Sequence, residues 1–168
     1  MSKKVLAVLL ALIIVVFSFA SCKKENVVEY CELGIILDKD FEVYDTDGAF
    51  NVAYSNGKTM VGITRLSFVD CEEQGFLTTF TPRKLAEVYL GKLDKQIGGS
   101  IEVHGDVPYF TYTDLGSDGA SYFYMLTFYR TPYAYFIITF ITPKVRESEG
   151  RVEFLKYAST VHILDEYL

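Results

Sequence analysis

Residues 121–142 read SYFYMLTFYRTPYAYFIITFIT, and Arg130 is the only charged side chain among them. The stretch divides at Thr131-Pro132, a turn signal, into two β-prone runs, 122–130 and 133–142. In each run both alternating sets of side chains are apolar. Tyr122, Tyr124, Leu126 and Phe128 oppose Phe123 and Met125, and Tyr135 and Ile137 oppose Phe136, Ile138 and Phe140. A strand with one wet face would alternate apolar with polar, so these runs call for cover on both faces. The pair is expected to lie antiparallel in the middle of a sheet. Between Tyr109 and Phe140 stand 12 of the 26 Phe and Tyr residues, which places the core there.

Two helices are available as cover. On the C-terminal side a helix is expected over 151–160, where Phe154, Leu155 and Ala158 share a face, with Gly150 interrupting or beginning it. On the N-terminal side Thr81-Pro82 opens the clearest helix. Thr81 can cap free amides, and Pro82 loses nothing at the first helical position. Leu85, Val88, Tyr89, Leu93 and Ile97 form its buried stripe; Lys92 and Lys95 suit its negative end, and Gly98-Gly99 stops it.

Further strands are read at 101–104 and 109–113, with Gly116-Ser-Asp-Gly119 as the turn that follows. Residues 49–54 and 59–69 read as a hairpin around Asn56-Gly57. In its second strand the apolar parity slips between Ile63 and Leu66, which predicts a bulge near Thr64 or Arg65. Short β-prone runs cover 34–37 and 41–44. Strands, helix, strands, helix is the order of an α+β fold, here an antiparallel sheet of about six or more strands with helices packed on it.

The N-terminus has a different character. Lys3 and Lys4 precede thirteen uncharged apolar residues, 5–17, and then Ser18-Phe-Ala-Ser21 leads to Cys22. A basic start, a short apolar centre and small residues before a cleavage point predict an export signal over 1–21. Thirteen residues are too few for a bilayer span, which needs about 20. Residues 22–33 read as a tether, and 34–168 as a single domain. Without Lys3 and Lys4, 14 basic residues face 22 acidic ones, a net charge of −8. A nucleic-acid surface needs local positive charge, so no nucleic-acid partner is expected.

Ser18-Phe19-Ala20-Ser21-Cys22 resembles the lipobox of bacterial lipoproteins. The resemblance implies that Cys22 carries a diacylglycerol thioether with palmitate-class chains and becomes the new N-terminus, on the extracytoplasmic face of the cell membrane. Phe19 departs from the Leu usual at its place. Several segments resemble the PsbP/Mog-like α-β-α sandwich superfamily: Gly34-Ile-Ile-Leu37, Thr81-Pro-Arg-Lys-Leu-Ala86, Val107-Pro-Tyr-Phe-Thr-Tyr112, the long paired strands ending at Thr142, and Phe154-Leu-Lys-Tyr-Ala-Ser-Thr-Val161. The chain looks similar in particular to membrane-anchored bacterial members of unassigned function, over roughly Gly34 to Ile163. The superfamily includes an extrinsic photosystem subunit and a Ran-binding import factor, but none of their contact residues carries over. Fold analogy gives no activity.

Chemistry-bearing motifs are sparse. Catalytic Ser, zinc-protease, dithiol and phosphate-loop spacings are missing, and two histidines cannot build a multi-histidine zinc site. Neither metal nor cofactor is expected. Glu102 and His104 would share a strand face near Asp106, an acid–base pair if a cleft enclosed them. His162 is read as a dipole partner at a helix C-terminus. Asp38, Asp40, Asp45 and Asp47 lack the spacing of a calcium loop and read as turn residues. Cys31 and Cys71 are an even pair that an exported chain can bridge, or two small buried hydrophobes. Tyr109, Tyr112, Tyr122, Tyr124, Tyr133 and Tyr135 offer a ligand or partner surface, or core packing with hydroxyls at the rim.

These readings favour a lipid-anchored, extracytoplasmic, non-catalytic module that binds or assembles another envelope component, with the membrane and an envelope protein as partners. One rival is a lipoprotein that binds a small solute or glycan on the tyrosine face. The other is an envelope enzyme using His104 and nearby acids.

Overall fold

The computed structural model describes residues 25–73, 77–93 and 99–167. Residues 1–21, read as an export signal, and Cys22 lie outside them. Among the described residues, ten strands form two antiparallel sheets. The larger has seven strands in the order β3 (Glu42–Val43), β4 (Val52–Ser55), β5 (Met60–Ser67), β9 (Ala134–Pro143), β8 (Ser121–Arg130), β7 (Val107–Leu115) and β6 (Glu102–His104). The smaller has β2 (Leu33–Asp38) between β1 (Glu25–Tyr30) and β10 (His162–Ile163). Helices α1 (Phe68–Glu73), α2 (Pro82–Lys92) and α3 (Glu147–Ala158) complete the layers, and a one-turn 3-10 helix, Lys144–Arg146, leads into α3.

The two runs that decide the fold pair as β8 and β9, from Tyr122↔Pro143 to Arg130↔Tyr135, with β7 and β5 outside them. Their odd–even sets separate as the alternation predicts. Phe123, Met125, Phe136, Ile138 and Phe140 pack with Leu33, Ile35 and Leu37 of the small sheet and Phe154 and Tyr157 of α3. Leu126, Phe128, Tyr135 and Ile137 pack with Cys71 of α1 and Leu85 and Ala86 of α2. The sheet is covered on both faces, an α-β-α arrangement.

Several expectations are corrected. No bulge interrupts β5: its pairing with β9 is unbroken from Met60↔Ile141 to Ser67↔Ala134. The parity slip has another cause. Val61 and Ile63 face the small sheet while Leu66 faces the helical layer, so both faces of the strand are buried. The strand ends at Ser67 rather than Val69, because Ser67 starts a capping box. The Asp70 amide donates to Ser67 Oγ (3.1 Å) and the Ser67 amide to Asp70 Oδ2 (3.2 Å), which turns the chain into α1.

Thr81 caps α2 as expected, its Oγ1 accepting from the Lys84 amide at 3.2 Å. That helix ends at Lys92, with Leu93 already extended at φ −71°, ψ 109°. Ile97, Lys95 and Gly98 lie outside the described residues. Gly150 neither begins nor breaks α3; it lies inside it, where a Cβ would stand 2.7 Å from Thr142 Cγ2. Its hydrogen is what lets the helix lie against β9.

Part of the stretch read as a tether, 22–33, belongs to the fold. Residues 25–30 form strand β1, paired residue for residue with β2 from Glu25↔Asp38 to Tyr30↔Leu33. Val28 is its one buried side chain, and its charged residues are exposed, which an edge strand tolerates. Glu32, in the same stretch, is buried and accepts from Arg65 Nε at 2.8 Å. Among the described residues, no helix is long and apolar enough to cross a membrane.

Candidate functional site

Helix α2 covers only part of its face of the large sheet. Strand register carries a half-buried row across that face: Tyr112 opposite Tyr124, Tyr124 opposite Ile141, Ile141 opposite Met60, and Met60 opposite Ser55. A groove of about 580 Å³ opens along this row, lined among others by Tyr44, Met60, Asp118, Tyr122, Tyr124 and Ile141. The turns 56–59 and 116–120 wall it at the strand ends. At the inner end the Phe50 ring lies over Gly62, where a Cβ would stand 2.5 Å from it.

The groove's polar atoms are fixed by short-range chemistry. Asn56 Oδ1 accepts from the amides of Lys58 (3.1 Å) and Thr59 (2.9 Å), and Ser55 Oγ accepts from the Gly57 amide (3.1 Å). Asp118 Oδ1 accepts from the Ala120 amide at 3.0 Å, while Oδ2 accepts from the Tyr122 hydroxyl at 2.7 Å. That last bond lowers the Asp118 carboxyl below its ordinary pKa and raises the Tyr122 phenol above its own. Tyr112 and Tyr124 stack almost parallel, 2° apart in plane with centroids 4.7 Å apart. Burial, and then the neighbouring Tyr124 and Tyr89 phenols, push Tyr112 up to about 12. The groove therefore offers flat aromatic faces, a thioether, and hydroxyl and carboxylate groups at its rim. That composition suits binding a surface that is part apolar and part polar.

Of the six tyrosines singled out in the sequence, Tyr122 and Tyr124 line the groove, with Tyr112 stacked behind Tyr124. Tyr109 and Tyr135 are core residues. The Tyr109 hydroxyl donates to Glu102 Oε2 at 2.7 Å, and that of Tyr135 lies within 2.9 Å of the Leu77 and Phe80 carbonyls. Tyr133 stands apart at the β8–β9 turn, edge-on to Tyr167. Tyr44, Met60 and Ile141 were missed. Only the strand register brings them beside Tyr124, although the Asn56-Gly57 hairpin already places Met60 at a strand start.

The other sequence candidates separate. Glu102 and His104 are exposed on edge strand β6, and the Glu102 carboxylate is engaged by Tyr109 and by Arg151 at 3.7 Å. Cys31 and Cys71 are not bridged: Cys31 is exposed at a turn with φ 50°, while Cys71 is buried in α1 beneath the large sheet. His162, read as a helix-end partner, instead pairs with Gly34 in β10, and its Nδ1 lies 3.0 Å from the Thr160 carbonyl. No cluster of three or more His, Cys, Asp or Glu among the described residues could hold a metal ion.

No family model and no curated protein matches the chain. Solved structures do. A crystal structure from Bacteroides thetaiotaomicron VPI-5482 aligns over 85% of this chain at a TM-score of 0.57 and 15% identity. This chain spans about half of that one, 49%. The solution structure of cyanobacterial PsbP (CyanoP) from Synechocystis sp. PCC 6803 aligns over 87% of this chain and 96% of its own, at a TM-score of 0.51 and 10% identity. The likeness is one of fold: the domain is PsbP-like.

Proposed function

We propose that this chain is a lipid-anchored, extracytoplasmic, non-catalytic binding or assembly module of the bacterial cell envelope. It holds the membrane through acylated Cys22 and an envelope protein through the tyrosine groove. The observation that carries the binding role is the half-buried Tyr112–Tyr124–Ile141–Met60 row. The opposite face of the same strands is sealed by a second sheet and α3, whereas among the described residues this row stays half-exposed, with Tyr124, Ile141 and Met60 lining a groove between two ordered turns. An aromatic-lined recess that the fold does not fill is a surface for something else. The anchor is supported by the lipobox-like Ser18–Cys22 segment of the sequence.

Photo-crosslinking in intact cells tests the role. A photoreactive phenylalanine at position 122 should give discrete protein adducts that the same group at exposed position 72 does not. Equal adduct patterns from both positions would contradict it.

A second reading, binding of a small solute or glycan, is favoured by the groove's size and by the exposed polar rim beside the stacked tyrosines. The chain has no Trp, and three of its 13 tyrosines, Tyr44, Tyr122 and Tyr124, line the groove, so the part of the tyrosine fluorescence that a groove ligand quenches is identified by comparison with Tyr124→Ala. Saturable quenching by envelope oligosaccharides, lost in Tyr124→Ala, would favour this reading over the first.

A further inference from the structure

From the start of β1 and its surroundings we infer the face by which the domain rests on the membrane, an inference that builds on the lipid anchor proposed for Cys22. Only Lys23 and Lys24 stand between Cys22 and Glu25, the first residue of β1. Three residue steps of fully extended chain reach about 10–11 Å. A domain of this length has a radius of gyration of about 14 Å. It is wider than its leash is long, so the surface around Glu25 is the surface that meets the lipid.

That surface is apolar where it need not be. Glu25 pairs with Asp38, and Asp38 receives the Lys156 ammonium at 3.4 Å and the Tyr157 hydroxyl at 2.9 Å. One helical turn before Lys156 stands Val152, 70% exposed. Asn26 donates to the Phe41 carbonyl at 3.3 Å, and two residues on is Val43, 76% exposed. Val27, 55% exposed, projects from β1 itself. Register and hydrogen bonds thus gather three exposed valines round the point where the chain leaves for its anchor. The charged groups between them are mixed, Glu25 and Asp38 with Lys156, Asp38 being satisfied by Lys156 and Tyr157, and Lys23 and Lys24 beside the anchor are too few for a polybasic patch. This is a patch for the interface of a zwitterionic bilayer rather than a basic patch for anionic headgroups.

Three valines would not hold a free protein to a membrane. With a leash of two residues they need not, because the anchor presents them to the lipid at an effective concentration in the millimolar range or above. Val27 and Val152 lie on the layer formed by β1, β2 and α3, and Val43 lies beside it on β3, the edge strand of the large sheet. The tyrosine groove opens on the other face of the large sheet, so seating the patch on lipid leaves the groove free for its partner.

The test uses the full acylated chain, with Cys31→Ser to remove the exposed thiol, reconstituted in phosphatidylcholine vesicles. Val152→Cys, Val43→Cys and, as the distant control on α1, Glu72→Cys each carry an environment-sensitive fluorophore, and nitroxide-labelled lipids serve as quencher. Quenching several-fold stronger at 152 and 43 than at 72 is the expected result, together with failure of the Cys22→Ala chain to co-float with the vesicles. Equal quenching at all three sites overturns the inference. So does protection of 152 in native membranes without quenching in pure lipid, which would mean that a protein covers the patch. Failure of the anchor reading shows separately, as an unacylated mass for the purified chain, and removes the premise.

Discussion

Glu32 is the only charged side chain in the buried class among the described residues, and its partner Arg65 is a quarter exposed. That asymmetry sets the outcome of mutating the pair. Arg65→Met strands a carboxylate in the interior and should cost about 3–5 kcal/mol in denaturant unfolding. Glu32→Gln leaves a guanidinium that can turn to water, and should cost less, about 1–3 kcal/mol. The hydrogen bonds from Arg65 hold the Glu32 carboxyl below its ordinary 4.5. Stability from a lowered carboxyl is present above the unfolded value and lost as pH falls through the folded one. Unfolding of the native chain should therefore steepen below about pH 4.5, and Glu32→Gln should flatten that part of the curve. Tyr112 works at the other end of the scale. Pushed to about 12, it contributes below the ordinary 10 and loses that contribution as pH rises through 12, so Tyr112→Phe should resist alkaline unfolding better than the native chain. The Glu32–Arg65 pair, unlike Tyr112, did not announce itself in the sequence. Glu32 and Arg65 are 33 positions apart, and a lone charge in an apolar strand carries no sign of its partner.

At the scale of elements, what was legible was local chemistry. Thr81-Pro82 and the following apolar stripe specify α2 within a dozen residues, and the structure shows the cap and the buried Leu85. Thr81→Ala should cost about 0.5–2 kcal/mol through the lost cap. Leu85→Ala should cost about 2–5 kcal/mol through a cavity beneath the sheet, both read from denaturant midpoints. Helix α1 was legible in principle, since Ser67 and Asp70 have the spacing of a capping box, but the aliphatic run to Val69 masked it. Gly150 was misread for a physical reason. Glycine usually disfavours a helix interior, and only the approach of Thr142 explains it here. Gly150→Ala should gain about 1 kcal/mol of helix propensity and lose about 1–3 kcal/mol to overpacking, a net destabilisation. Strand β1 escaped because an edge strand with charged outward residues looks like a solvated linker.

For the whole molecule, the sheet's centre was readable because burial on both faces leaves an unambiguous pattern in β8 and β9. Which half of a face stays open was not readable. It depends on where α2 stops and on the register of four strands, and neither is written in any one segment. The groove, the sealed opposite face and the two residues between Cys22 and β1 are the features behind the proposal that one layer turns to a membrane and the other to a partner.

Hydrogen exchange on the full acylated chain, compared between native membranes and phosphatidylcholine vesicles, tests that proposal most directly. In both settings amides 123–128 and 136–140 should be among the slowest, since they lie in the central strands beneath both layers. The groove turns 56–60 and 116–120 should exchange more slowly in native membranes, where the proposed partner would be present, than in pure lipid. Identical exchange of those turns in both would contradict the proposal.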